Sequence, residues 1–323
     1  MLIQYRRQGP RLLRLDGMEA IDTDTVWIDL LDPTAEEDAF VEKALGLSIP
    51  TRAEAREIEA SSRLYVENGA HFMTAFVIYN LEATMPQSAT LTFILAGSRL
   101  VTLRYSEPRA FPLFVTRVDK GDAPCNCGAA IAIGLIETII DRQADLIERI
   151  QDEIERLAPS VFEIKGGQQT RNRRLDVLLK VIGKEGDITS RAQESAFSID
   201  RLLTFFAHAA RERKEDQAIS HRIATAQRDV ASLTEQLRFL FNRITFLLDA
   251  TLGMIATEQN QIIKLFSVVS VMLMPPTLVA SIYGMNFKAM PELNWPYGYP
   301  MALGLMILSA IIPYYYFRRR GWL

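Results

Sequence analysis

Histidine and cysteine are scarce: three and two in 323 residues. That leaves little material for a metal cluster or a disulfide framework. Cys125 and Cys127 stand in a Gly/Pro/Asn loop, where a Cys-x-Cys metal clip competes with the plainer reading of two small loop residues. His71, His208 and His221 form no local ligand pair, and His71 lies in an apolar run that reads as a core strand. No Gly-rich phosphate loop and no nucleophile–base pair is present, so an enzyme is not expected. Basic excess is missing as well. With 36 Lys+Arg against 39 Asp+Glu the net charge is −3, which excludes a strongly basic nucleic-acid binder, and no nucleic-acid partner is expected. A 49% apolar composition excludes a disordered chain. The opening MLIQYRRQGP has no apolar signal region, so secretion is not expected. Proline is absent between Pro159 and Pro275, which leaves room for very long helices.

What is present is distributed unevenly. From Lys264 onward the charges are Lys264, Lys288, Glu292, Arg318, Arg319 and Arg320, a balance of +4 that leaves −7 for residues 1–263. Residues 265–287 and 293–317 carry no charge, and each run is long enough to cross a hydrocarbon core of about 30 Å. Basic residues flank the outer ends of the pair, so both termini are expected in the cytoplasm and the connecting loop outside. Tyr314, Tyr315, Tyr316 and Trp322 suit the inner interface; Trp295, Tyr297 and Tyr299 suit the outer one.

The expected fold class is an α+β cytoplasmic domain, a long stalk helix and a two-helix transmembrane hairpin. Residues 1–128 form the α+β part, with a short strand over 26–31, a helix beginning at Thr34, and β-rich runs over 63–66, 71–79, 90–96 and 99–104. Residues 129–214 are helical, with one helix ended by Pro159 and another over about 170–208. The stalk, 215–264, continues without interruption into the first span, 265–287. A helix over 215–283 would measure about 100 Å. A periplasmic loop (288–297), a second span (298–317) and a basic tail (318–323) complete the chain.

The first span carries a pattern that a simple anchor does not need. Asn260, Ile263, Ser267, Ser270, Met274, Thr277, Ser281 and Gly284 step alternately by three and four, a heptad row. Small polar side chains in such a row either pack helix on helix or line a pore, and the pattern alone does not choose. The row contains no acid. Asn carboxamides and carbonyls can hydrogen-bond the waters of a hydrated ion, and Met274 supplies an apolar ring able to gate by dewetting. Two spans cannot enclose a pore, so a conducting form is a homo-oligomer in the lipid bilayer.

At Tyr283-Gly284-Met285-Asn286-Phe287, followed by Met290-Pro291-Glu292-Leu293, Trp295 and Gly298-Tyr299-Pro300, the chain resembles the CorA family of divalent-cation transporters. Residues 263–281 and Glu57-Ile58-Glu59-Ala60-Ser61-Ser62-Arg63 look like its proteobacterial magnesium/cobalt branch. The resemblance implies a funnel-shaped homopentameric channel in the bacterial inner membrane, with Mg²⁺ as transported and regulatory ion, Co²⁺ and Ni²⁺ as further cargo, and no other cofactor. It implies that Gly284, Met285 and Asn286 receive the hydrated ion. It implies that Asn260, Ile263, Ser270, Met274, Thr277 and Tyr283 line the pore and that Asp249 sits at the cytoplasmic mouth, where a solvated stalk face is the alternative. Glu292, with Lys288 nearby, would tune cation attraction at the entrance. Asp229 and Glu82 are the candidate regulatory metal ligands; Thr225 stands where the family often has an acid. Two other readings remain open: a related zinc transporter coupled to protons, and a membrane-tethered scaffold or sensor that conducts nothing.

Overall fold

The protein was analysed as a computed structural model that describes residues 1–9, 11–56, 63–162, 168–286, 290 and 295–322. Contacts divide it into two compact units, residues 1–162 with 180–247, and residues 163–179 with 248–323.

The first unit is built on a seven-stranded sheet. Its strands are β1 (Leu2–Gln8), β2 (Arg11–Asp16), β3 (Thr25–Leu31), β4 (Leu64–Glu67), β5 (Ala70–Tyr79), β6 (Gln87–Ala96) and β7 (Arg99–Arg104). Their order is β2-β1-β3-β7-β6-β5-β4, antiparallel except for the central β3–β7 pair. That mixed order is α+β, not doubly wound. Helix α1 (Ala35–Leu45) starts in a capping box: the Glu37 N–H donates to the Thr34 hydroxyl, and the Glu37 carboxylate accepts from the Thr34 N–H. On one face of the sheet Val41 of α1 joins Leu2, Ile28, Leu30, Phe72, Ile94 and Leu103 in a buried cluster.

The other face carries aromatic and ionic contacts. Trp27 stacks on Tyr5 at 4.1 Å and meets Phe111 and Phe114 of α2 (Ala110–Asp119). Burial, with the nearby Asp29 carboxylate, pushes the Tyr5 phenol up to about 12. Beside them Asp29 of β3 and Arg104 of β7 form a buried ion pair, with Nη2 2.7 Å from Oδ2. The Thr102 hydroxyl donates to Asp29 Oδ1 at 2.7 Å and accepts from Trp27 Nε1 at 2.9 Å. The Arg104 guanidinium lies over the Phe111 ring at 4.4 Å.

Helix α3 (Gly128–Phe162) packs close to this sheet because it begins at glycine. A Cβ on Gly128 would lie 2.3 Å from the Arg99 carbonyl carbon. Pro159 was expected to end this helix, but the helix runs one turn further, to Phe162. A proline costs one backbone bond and some crowding, and near a helix end that loss does not outweigh the remaining contacts. Val161, beyond it, is fully buried.

Helix α4 (Gln168–Glu212) from residue 180 onward, and the first part of α5 (Gln217–Tyr283) to residue 247, complete the unit. Arg222 of α5 grips Glu137 of α3 through Nε at 2.9 Å and Nη2 at 2.6 Å. Past the end of β4, α4 serves the outer side of β5. The Phe76 N–H donates to the Ser198 hydroxyl and the Phe76 carbonyl accepts from the Ser195 hydroxyl, both at 2.9 Å. His71 is a buried strand residue, as expected, with Nε2 3.3 Å from Glu212. Cys125 is buried and Cys127 half-buried, and burial pushes the Cys125 thiol up.

The second unit contains the start of α4, the rest of α5, and α6 (Gly298–Arg319). Helix α5 is a single element of 67 residues that begins at Gln217, two residues later than the expected Glu215. Asp216 sets that start: its carboxylate accepts from the Ala218 N–H at 3.2 Å.

Candidate ion pathway

Two helices, α5 and α6, hold windows long and apolar enough to cross a membrane, and only 6% of each window is buried. Leu265, Phe266, Leu273, Leu278, Ile307 and Ile312 are each more than half exposed. A water-soluble monomer rarely shows so large an apolar surface. With no charge over residues 265–286 of α5 and its end, lipid is the solvent that matches it.

The heptad row is displayed on this helix. Asn260, Ile263, Ser267, Ser270, Met274, Thr277, Ser281 and Gly284 are all exposed. The residues that α5 does shelter, Glu258, Ile262, Val268, Met272, Pro276, Val279 and Tyr283, lie on the opposite side at 3.6 residues per turn. The row therefore lies within the surface that this chain leaves uncovered, which also includes Leu265, Phe266, Val269 and Leu278. Tyr283 stands half-buried and off the row.

Pro275 and Pro276 lie inside the helix, which continues through them. They deprive the carbonyls of Val271 and Met272 of their usual N–H donors. At the next residue, the Thr277 hydroxyl shares its proton between the carbonyls of Leu273 and Met274, at 3.1 and 2.8 Å. This local bonding is why threonine is tolerated in the span without a partner helix.

The helix closes at the tripeptide. The Gly284 N–H donates to the Ala280 carbonyl at 2.9 Å, and the Met285 N–H to Ile282 at 3.3 Å. A Cβ on Gly284 would sit 3.0 Å from the Ala280 carbonyl oxygen. Gly284→Ala is thus expected to shift the turn and cut ion flux severalfold while the protein still assembles. Flux and assembled yield, measured together, check this. Met285 and Asn286 are exposed just beyond the turn. Glu292 and Lys288, and residues 57–62 of the earlier motif, lie outside the described residues.

The remaining candidates are in the first unit or at its margin. Asp229 and Asp249 are exposed on α5, and Thr225 accepts from Arg228 Nη2 at 3.1 Å. Glu82 is occupied: Arg109 and Arg142 donate to one of its oxygens at 2.7 and 3.0 Å. Among the described residues no group of three or more His, Cys, Asp or Glu side chains is placed to hold a metal ion within one chain. At the far end of α6, Lys264 lies 5.8 Å from the Trp322 ring. The sequence places these two only as separate flanking residues, and nothing in it pairs them.

The family model described as CorA-like Mg²⁺ transporter protein matches residues 22–319. The chain belongs to the CorA family. It is a family of transporters, not of enzymes. The magnesium transport protein CorA of Pasteurella multocida is 36% identical over 325 residues, with both chains fully covered. The protein of the same name from Salmonella typhimurium is 37% identical over 325 residues, again over both full lengths. The complete structure of the CorA magnesium transporter from Methanocaldococcus jannaschii matches the fold with a TM-score of 0.76 at 19% identity, covering 100% of this chain and 99% of that one. The ZntB cytoplasmic domain from Vibrio parahaemolyticus shares the fold more loosely, with a TM-score of 0.53 at 12% identity over 79% of this chain and 98% of that one. The CorA fold, with its soluble α/β part, long helix and two C-terminal apolar helices, is thus common to the chain and its relatives.

Proposed function

We propose that the chain assembles as a homopentameric channel for passive uptake of hydrated Mg²⁺, with Co²⁺ and Ni²⁺ as further cargo. The observation that carries this is the exposed, charge-free row from Asn260 to Gly284 that runs into Met285 and Asn286. Copies of that face around an axis give a polar lining without fixed acids, suited to an ion that keeps its waters. The names of the full-length relatives support magnesium as cargo. Asn260, Ile263, Ser270, Met274 and Thr277 line this path. Gly284, Met285 and Asn286 receive the ion, with Glu292 near them and Asp249 at the inner mouth. Tyr283 borders the path at its outer end.

Both termini are cytoplasmic in this reading, in a bacterial inner membrane. The membrane potential then favours inward movement of a divalent cation by about 4.6 kcal/mol per 100 mV, so no other energy source is needed. Intracellular Mg²⁺ gates the channel by mass action on the closed state. Among the described residues one chain does not gather the ligands for such an ion. The reading therefore places it between copies, with Asp229 and, once freed from its arginines, Glu82 as candidate ligands. At −7 per body, five bodies carry about −35, a repulsion that bridging cations relieve.

The test is purified protein in liposomes with a Mg²⁺-sensitive dye inside. Influx is expected to follow an inside-negative potential and to ignore a pH gradient. Zn²⁺ influx that requires the proton gradient, with little Mg²⁺ entering, would overturn the proposed cargo and driving force.

A further inference from the structure

At the C-terminal end of α6 there is a groove of about 650 Å³ lined by Ile311, Ile312, Tyr315, Tyr316, Arg319 and Arg320. These residues repeat at i, i+4 and i+8, so one helix face passes from aliphatic to phenolic to guanidinium within about three turns. We propose that this groove binds an anionic phospholipid, with its phosphate on Arg319 and Arg320 and the start of an acyl chain along Ile311 and Ile312. The inference rests on the reading that this end of α6 lies at the cytoplasmic membrane surface.

Charge and polarity both point to that occupant. No Asp or Glu lies between Leu293 and Leu323, so the guanidinium groups have no acidic side chain on their own segment. Two further cations stand in this region: Lys264 faces the Trp322 ring at 5.8 Å, and Arg318 lies outside the groove. The cluster is also held in place. The N–H groups of Arg320, Gly321 and Trp322 donate to the carbonyls of Tyr316, Arg318 and Phe317 at 3.1–3.2 Å. Gly321 has φ +68, a left-handed position that glycine adopts without cost. Trp322 is thereby stacked on Phe317 at 5.3 Å, and Arg320 lies 5.4 Å from the Tyr316 ring. A basic cluster at a membrane surface attracts anionic lipid. A free phosphate would meet the arginines but leave the four apolar and phenolic side chains uncovered, whereas a lipid covers both parts.

The test uses the full chain in mixed micelles of phosphatidylglycerol and phosphatidylcholine, with bound lipid read by native mass spectrometry. The wild-type protein is expected to retain phosphatidylglycerol in preference, and excess inorganic phosphate is expected not to displace it. Arg319→Gln and Arg320→Gln should each lower the preference by about fivefold, the effect of one surface cation. Arg318→Gln, outside the groove, should lower it less than either of these. Equal retention of the two lipids by the wild-type protein would overturn the proposal without any variant, so a misfolded variant does not protect it. Displacement by phosphate, or an equal loss in Arg318→Gln, would overturn it too. The readout does not involve transport. Normal Mg²⁺ influx with no lipid preference therefore refutes the lipid site alone, and a retained preference without influx refutes the channel reading alone.

Discussion

Mg²⁺ influx into liposomes is expected to fall to the leak of protein-free vesicles when Asn286 is replaced by alanine, with assembly and helix content unchanged. The expectation follows from the chemistry of the ion. Mg²⁺ gives up its waters reluctantly, so the mouth of a pathway must hold the hydrated ion through those waters. That calls for carbonyl oxygens at the right radius, not for a carboxylate that binds and retains. Asn286 is exposed immediately beyond the helix end, and the turn that presents it is fixed by the Gly284 and Met285 N–H groups bonding back into the last turn. Alanine removes the carboxamide and leaves that turn alone. Asn286→Asp keeps the oxygens but adds a charge in every copy, so slower release and reduced flux are expected with binding retained. Normal influx in Asn286→Ala would show that the ion enters elsewhere.

Arg104→Met is expected to destabilise the first unit by about 3–5 kcal/mol, because it leaves the Asp29 carboxylate buried without its counter-charge. Asp29 is 1% exposed and Arg104 6%. Each Asp29 oxygen accepts from Arg104, and Thr102 supplies a further donor. Deleting one charge also disturbs the Thr102 hydroxyl and, through it, the Trp27 indole. Asp29→Leu with Arg104→Met should recover most of the loss, since a buried pair replaced by apolar groups of similar volume is often neutral. Denaturation of the full chain in detergent, followed by near-ultraviolet circular dichroism, measures both. A single-variant loss below about 1 kcal/mol would mean that water reaches the pair.

The same two residues show where the sequence stops being legible. Asp29 and Arg104 each stand within an apolar strand run, but 75 positions separate them, and no local pattern pairs them. The strands that could be read, those over 26–31, 63–66, 71–79, 90–96 and 99–104, are apolar or β-rich runs bounded by turns such as Asn68-Gly69. β1 and β2 escape that reading because Arg6, Arg7, Arg11 and Arg14 break the apolar alternation. Their pairing is fixed instead by the register Gln8↔Arg11 and by β3 on the other side. Pro159 misled through a local rule that tertiary burial of Val161 overrides. Along the pathway the heptad row was legible because periodicity survives in a single sequence. The two arginines on Glu82 were not, since they reach it from α2 and α3.

Ser195 and Ser198 carry a further consequence. A membrane protein that gathers several copies of itself also concentrates identical sheets, and an open strand edge there is a template for wrong pairing. Here the first free edge position past β4, Phe76, has both backbone groups occupied by hydroxyls from α4. At the opposite margin β2 is only six residues long and carries Arg11, Arg14 and Asp16. The outermost strand at the other end, β4, has only four residues, so each margin offers a short template. In the proposed homopentamer, contacts through helices and side chains are therefore expected in preference to backbone pairing at these margins.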